Sequence, residues 1–153
     1  MIFEKDFIEF IELLNLHAVE YLIVGAHALS FHGRPRHTGD LDIWIKPSLE
    51  NAEKMMVVLR DFGFGSLNLV KEDFLRDNYV TQLGYPPLRI DILNAISGVS
   101  FNEAFSNCLT ADVDELRVNY IGLDDLIKNK ISTGRKIDLA DVESLEKLKK
   151  KKD

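Results

Sequence analysis

Asp40 and Asp42 stand one residue apart in the run GRPRHTGDLDIWI. A strand sends alternate side chains to the same face, so both carboxylates point one way. Two acids so placed can share a hard divalent cation such as magnesium, which takes oxygen ligands and completes its shell with substrate phosphates. Such pairs also occur on ordinary solvated strands, so other groups have to agree. Asp91, in LRIDIL, lies between Ile90 and Ile92 and therefore on the side away from that apolar pair. It reads either as a third acid of the same site or as a solvated strand residue. Gly25 ends the run YLIV and leads into AHALSF, a brief helix whose first turn offers free backbone N–H groups and a positive dipole end, suited to terminal phosphates. A glycine-led turn, two acids on the next strand and a third on a later strand can hold two metal ions over a phosphoryl-transfer centre.

The elements that must position these residues follow from periodicity. Phe7, Phe10, Ile11 and Leu14 recur at helical spacing, which predicts an amphipathic first helix. Tyr21 to Val24 is a short strand, Ala28, Leu29 and Phe31 belong to the brief helix, and Gly33 closes it. Pro35 keeps the following loop from being helical. Leu41 to Ile45 then alternates, with Leu41, Ile43 and Ile45 facing the core and Asp40, Asp42 and Trp44 facing away. Ser48 caps a helix running from Leu49 to Phe62, which Gly63 ends. Leu67 to Leu75 reads as weak helix or loop. Two β-rich runs then flank Gly84-Tyr85-Pro86-Pro87 as a hairpin with a rather long turn. A strand over Leu116 to Ile121 and a helix from Leu123, broken at Gly134, come next. A last helix from about Leu139 uses Leu139, Val142, Leu145 and Leu148 as its stripe and ends in lysines.

The 153 residues, 46% hydrophobic and 29% charged, suit a single domain over 1–153 with a real core. No run approaches the roughly 20 apolar residues of a membrane span. The acidic start MIFEKDFIEF is unlike a signal peptide, so a cytoplasmic protein without membrane attachment is expected. The net charge of −6 argues against a broad nucleic-acid surface. Cys108 is the only cysteine, which excludes an internal disulfide and a thiolate cluster and leaves a buried thiol as its reading. His27 and His32, five apart, miss the spacing of a zinc pair on one helical face. Arg34, Arg36 and His37 are either plain loop residues or a basic loop suited to substrate charge. Arg135 and Lys136 bind either a phosphate or the carboxylates of Asp138 and Asp141.

Three runs in this order, VGAHALSFHGRPRHTGDLDIWI (24–45), LRIDIL (88–93) and LIKNKISTGRKIDLADVESL (126–145), with GVSFNEAF between the last two, resemble the nucleotidyltransferase superfamily typified by DNA polymerase beta. More closely, the chain resembles small bacterial nucleotidyltransferases that include the AbiEii-type toxins of abortive-infection systems. The resemblance implies an α/β nucleotidyltransferase fold, a short mixed β-sheet flanked by α-helices. It also implies transfer of a nucleoside monophosphate from a nucleoside triphosphate to an unknown acceptor (tRNA, protein or small molecule) with two Mg2+ ions, or Mn2+ in their place. Asp40, Asp42 and Asp91 become the metal ligands, and Gly25, Ala26, His27 and Arg36 the phosphate-binding set. Lys130 becomes the later lysine of the site, Asp138 or Asp141 the later aspartate, and Arg135 an accessory. Ala26 departs from the pattern, since a serine there would put a hydroxyl on a phosphate. That departure keeps a second reading open: a catalytically silent nucleotide-binding or protein-interaction module, beside a cognate antitoxin or other partner chain.

Overall fold

The computed structural model describes residues 3–152; Met1, Ile2 and Asp153, the ends of the expected 1–153 domain, lie outside the described residues. Helix α1 (Lys5–Leu16) buries Phe7, Phe10, Ile11 and Leu14, the stripe that its spacing dictates. Strand β1 (Tyr21–Val24) is buried throughout, and α2 (Gly25–Phe31) follows it with no intervening loop. Strand β2 (Asp40–Ile45) carries the acid pair. Helix α3 (Leu49–Phe62) starts where the Ser48 hydroxyl accepts from the Asn51 N–H at 3.2 Å and stops at Gly63, whose φ of 102° suits glycine. A 3₁₀ turn (Lys71–Leu75) leads to β3 (Val80–Tyr85) and β4 (Leu88–Leu93), so the hairpin turn is shorter than its sequence suggested, with only Pro86 and Pro87 between the strands. Then come α4 (Phe101–Ser106), β5 (Leu109–Val113), β6 (Leu116–Tyr120), α5 (Leu123–Thr133) and α6 (Lys136–Lys152).

The strands form one mixed sheet in the order β3-β4-β2-β1-β6-β5. Strand β2 is antiparallel to β1 and parallel to β4, and β1 is parallel to β6. Helices α1 and α3 pack on the face that carries Tyr21, Ile43 and Ile90, with Phe10 and Phe62 5.1 Å apart between them. Phe101 of α4 meets Trp44 edge-on at 5.2 Å on the other face. That second contact corrects the expected one-sided strand: Trp44 shares a face with the acids, yet it is buried, because α4 covers that end of β2. The last helix also differs from its expected outline. It begins at Lys136, and Leu139 is exposed, while Asp138 and Asp141 take inward positions beside Leu145.

Among the described residues no helix is long and apolar enough to cross a membrane.

Candidate active site

The parallel register of β2 and β4 sets Asp42 directly beside Asp91, and Asp40 beside Arg89. Partners in a register share a face, so three carboxylates and one guanidinium converge at the end of β2 nearest α2. Arg89 spans the gap. Its Nε donates to Asp91 Oδ1 at 2.8 Å, and its Nη2 donates to Asp91 Oδ2 at 3.0 Å and to Asp40 Oδ2 at 3.1 Å. Burial pushes the Asp42 carboxyl up to about 7, the neighbouring charges of Asp91 and then Asp40 add to the rise, and Arg89 opposes it. Three acids against one guanidinium leave this corner with excess negative charge.

Two glycines let the acids close in. Gly25, at φ 66°, makes the turn from β1 into α2, and a Cβ placed on it would lie 2.1 Å from Asp42 Oδ2. Asp42 thus rests on the bare backbone of the turn that sequence reasoning assigned to phosphates. Gly39 lies so close to the β3–β4 turn that a Cβ would sit 1.8 Å from the Pro87 carbonyl oxygen, and its own carbonyl accepts from the Arg89 N–H at 2.9 Å. Thr38 Oγ1 accepts from the Asp40 N–H at 3.0 Å and fixes the start of β2.

Beside Gly25 and Asp42 opens a cleft of about 440 Å³, walled by Asn78, Leu93, Ala95 to Ser97, Asn129, Thr133 and Arg135. Its far side adjoins a second cluster. Lys130, 6% exposed, donates to Asp138 Oδ1 at 3.1 Å and to Asp141 Oδ2 at 3.0 Å. Asp141, fully buried, also accepts from Arg34 Nε at 2.8 Å and Arg36 Nη2 at 2.6 Å. Burial alone would raise the Asp138 carboxyl, but hydrogen bonds from Thr133, Arg135 and Lys130 outweigh it and hold the group at about 2.

Asp40, Asp42, Asp91 and Gly25 therefore meet, and Ala26 lies in the same turn. Lys130, Asp138 and Asp141 meet one another instead, and Arg135 links their cluster to the cleft, bonding Asp138 at 2.6 Å with most of its side chain exposed. Two phosphate candidates are placed elsewhere. His27 packs against Phe3 at 5.2 Å and Phe7 at 5.8 Å, because α2 presents that side to α1, and burial lowers its pKa. Arg36 donates through Nη2 to Asp141, beside Arg34, and so lies with the Lys130 cluster. The residue that sequence reasoning missed is Arg89. Its signal was available, since it stands two positions before Asp91 on the same strand and so on the same face.

The donor set suits a hard divalent cation in type and charge: carboxylate oxygens only, with more negative charge than Arg89 alone offsets. Among the described residues no three such groups stand ready around one point, and Arg89 is what lies between Asp40 and Asp91.

No family model matches this chain. No curated protein matches it either. Among solved structures it is similar to "a putative nucleotidyltransferase" from Thermotoga maritima, with a TM-score of 0.56 and 14% identity over 93% of this chain and 87% of that one. At that identity the likeness is one of architecture, so the mixed α/β fold seen here is a fold shared with the Thermotoga maritima protein over nearly its whole length.

Proposed function

We propose that this chain is a magnesium-dependent nucleotidyltransferase that moves a nucleoside monophosphate from a nucleoside triphosphate to an acceptor hydroxyl. The observation that carries this reading is the lateral alignment of Asp40, Asp42 and Asp91, with Asp42 resting on Gly25 and lining the cleft beside it. The fold shared with a protein named for this activity supports it. Asp40, Asp42 and Asp91 would hold two magnesium ions. When bound, magnesium neutralises the triphosphate and makes the acceptor hydroxyl easier to ionise. The chain's own residues do the rest. The turn at Gly25 and Ala26 lines up backbone N–H groups for the phosphates, Arg135 adds positive charge at the rim, and Asp91 takes up the acceptor's proton. The acceptor oxygen bonds to the α-phosphorus, the bond from that phosphorus to the bridging oxygen breaks, and pyrophosphate leaves. Positioning and charge carry the reaction, so removing an acid harms turnover more than folding.

Ala26 in the phosphate turn favours a second reading, a silent nucleotide-binding module acting with a partner chain such as an antitoxin. Calorimetric titration with each of the four nucleoside triphosphates, with and without Mg2+, tests the site. The native chain binds one or more of them only with Mg2+, and Asp40→Asn/Asp42→Asn weakens binding by about 100-fold, the scale of two lost charge-assisted contacts. Equal binding by both chains overturns the assignment. Magnesium-dependent binding without pyrophosphate release against tRNA, protein and small-molecule acceptors selects the silent module.

A further inference from the structure

We propose that Arg89 is a built-in counter-cation: its guanidinium holds the place between Asp40 and Asp91 while the chain is metal-free, and it swings out when a divalent cation enters. The inference rests on the reading of the three acids as a cation site and adds to it a competing ligand supplied by the chain itself.

Three observations converge. A planar guanidinium can engage two oxygens of one carboxylate and an oxygen of a second, and Arg89 does so, at 2.8 and 3.0 Å to Asp91 and 3.1 Å to Asp40. These same oxygens are the ones that a metal would need. Next, the cluster has the right donors but, among the described residues, no three of them stand ready around one point, and the group bonded to both Asp40 and Asp91 is a side chain rather than backbone. Finally, Arg89 has somewhere to go. It is about a quarter exposed, and its register partner on β3 is Gly84, which has no side chain and is itself exposed. Gln82, the partner of Asp91, is exposed too, so the β3 side of the cluster is open to solvent.

A metal that enters must break three charge-assisted hydrogen bonds. The competent arrangement, with Arg89 displaced, is then a minor state of the free chain, and apparent metal affinity falls by its fractional population. A polyanionic substrate offers the displaced guanidinium a new partner and so favours the same state. Metal and nucleoside triphosphate therefore bind with positive cooperativity, and the free chain resists loading by metal alone.

The test uses Mn2+ and Mg2+ without nucleotide, titrated calorimetrically into the native chain, Arg89→Gln and Arg89→Lys. Arg89→Gln binds metal at least about tenfold more tightly than the native chain, as expected when a charged competitor is removed. Arg89→Lys, a point charge that cannot fork across both acids, falls between them. In parallel, the Arg89 Nε–H resonance of the native chain, identified by its absence in Arg89→Lys, is protected without metal and shifts or exchanges rapidly as Mg2+ is added. That spectrum needs no variant that folds poorly. Equal or weaker metal binding in Arg89→Gln, or a protected Nε–H that persists while the Gly25 amide reports bound Mg2+, overturns the proposal and leaves the metal site standing. No metal binding by any of the chains overturns both.

Discussion

Asp42 holds a carboxyl at about 7, against an ordinary 3.8, because burial and two neighbouring acids disfavour its charge. A carboxyl whose pKa is higher folded than unfolded destabilises the fold at any pH where the unfolded chain has ionised. The penalty is absent below about pH 4, grows as pH rises toward 7 and is complete above it, at up to roughly 4 kcal/mol in the metal-free chain. Asp42→Asn should therefore match the native chain in thermal melts near pH 4 and melt several degrees higher near pH 8 without divalent cation. A variant that melts lower at pH 8 contradicts the crowding account. The acids themselves were legible from period two alone, since Asp40, Asp42 and Asp91 each alternate with apolar neighbours. Their meeting with Arg89 was less so, because it depends on the register between β2 and β4, which no local pattern encodes. Arg36 illustrates the limit: its bond to Asp141 joins residues about a hundred positions apart, which only the packed fold reveals.

Elements with strong stripes form as their sequences dictate, as α1, α3 and α5 do, and α3 is also capped at both ends by Ser48 and Gly63. Those read poorly are short or two-sided. Helix α4 has only six residues, and β5 is a sheet-edge strand whose residues are mostly exposed, so LTADV carries little apolar alternation to read. Helix α6 was placed too late because its first turn is polar, and Asp138 and Asp141 point inward only because Lys130 waits there. Between elements, Gly39 decides how closely β2 can approach the β3–β4 turn. Gly39→Ala would drive a Cβ into the Pro87 carbonyl, a backbone atom that cannot step aside. Overpacking of this kind costs about 1–3 kcal/mol, and here the shift also separates Asp40 from Arg89. Urea denaturation should show that loss together with changed metal binding; an unaltered midpoint would mean that the turn moves freely.

Across the whole molecule, Lys130 ties the consecutive helices α5 and α6 through its own bonds and, through Asp141, a part far away in sequence, the Arg34 and Arg36 loop that leads into β2. Lys130→Met keeps the bulk and leaves two buried carboxylates short of their shared cation. Breaking such a pair costs about 3–5 kcal/mol, and urea denaturation should show a loss of that size. A loss below about 1 kcal/mol would mean that Arg34, Arg36 and Arg135 suffice for both acids. The overall class, helices around a mixed sheet, could be read from the alternation of strand and helix signals, whereas the strand order could not. That order has a kinetic meaning. The two innermost strands, β2 and β1, each rely on a partner made much later: Asp42 meets Asp91 about fifty residues on, and Ile23 meets Tyr120 about a hundred on. Closing such long loops is slow, and a nascent chain that has emerged only as far as β3 keeps both central edges unpaired. The acid corner thus cannot assemble on the ribosome before β4 has emerged, whereas β1 gains its second partner only when β6 follows.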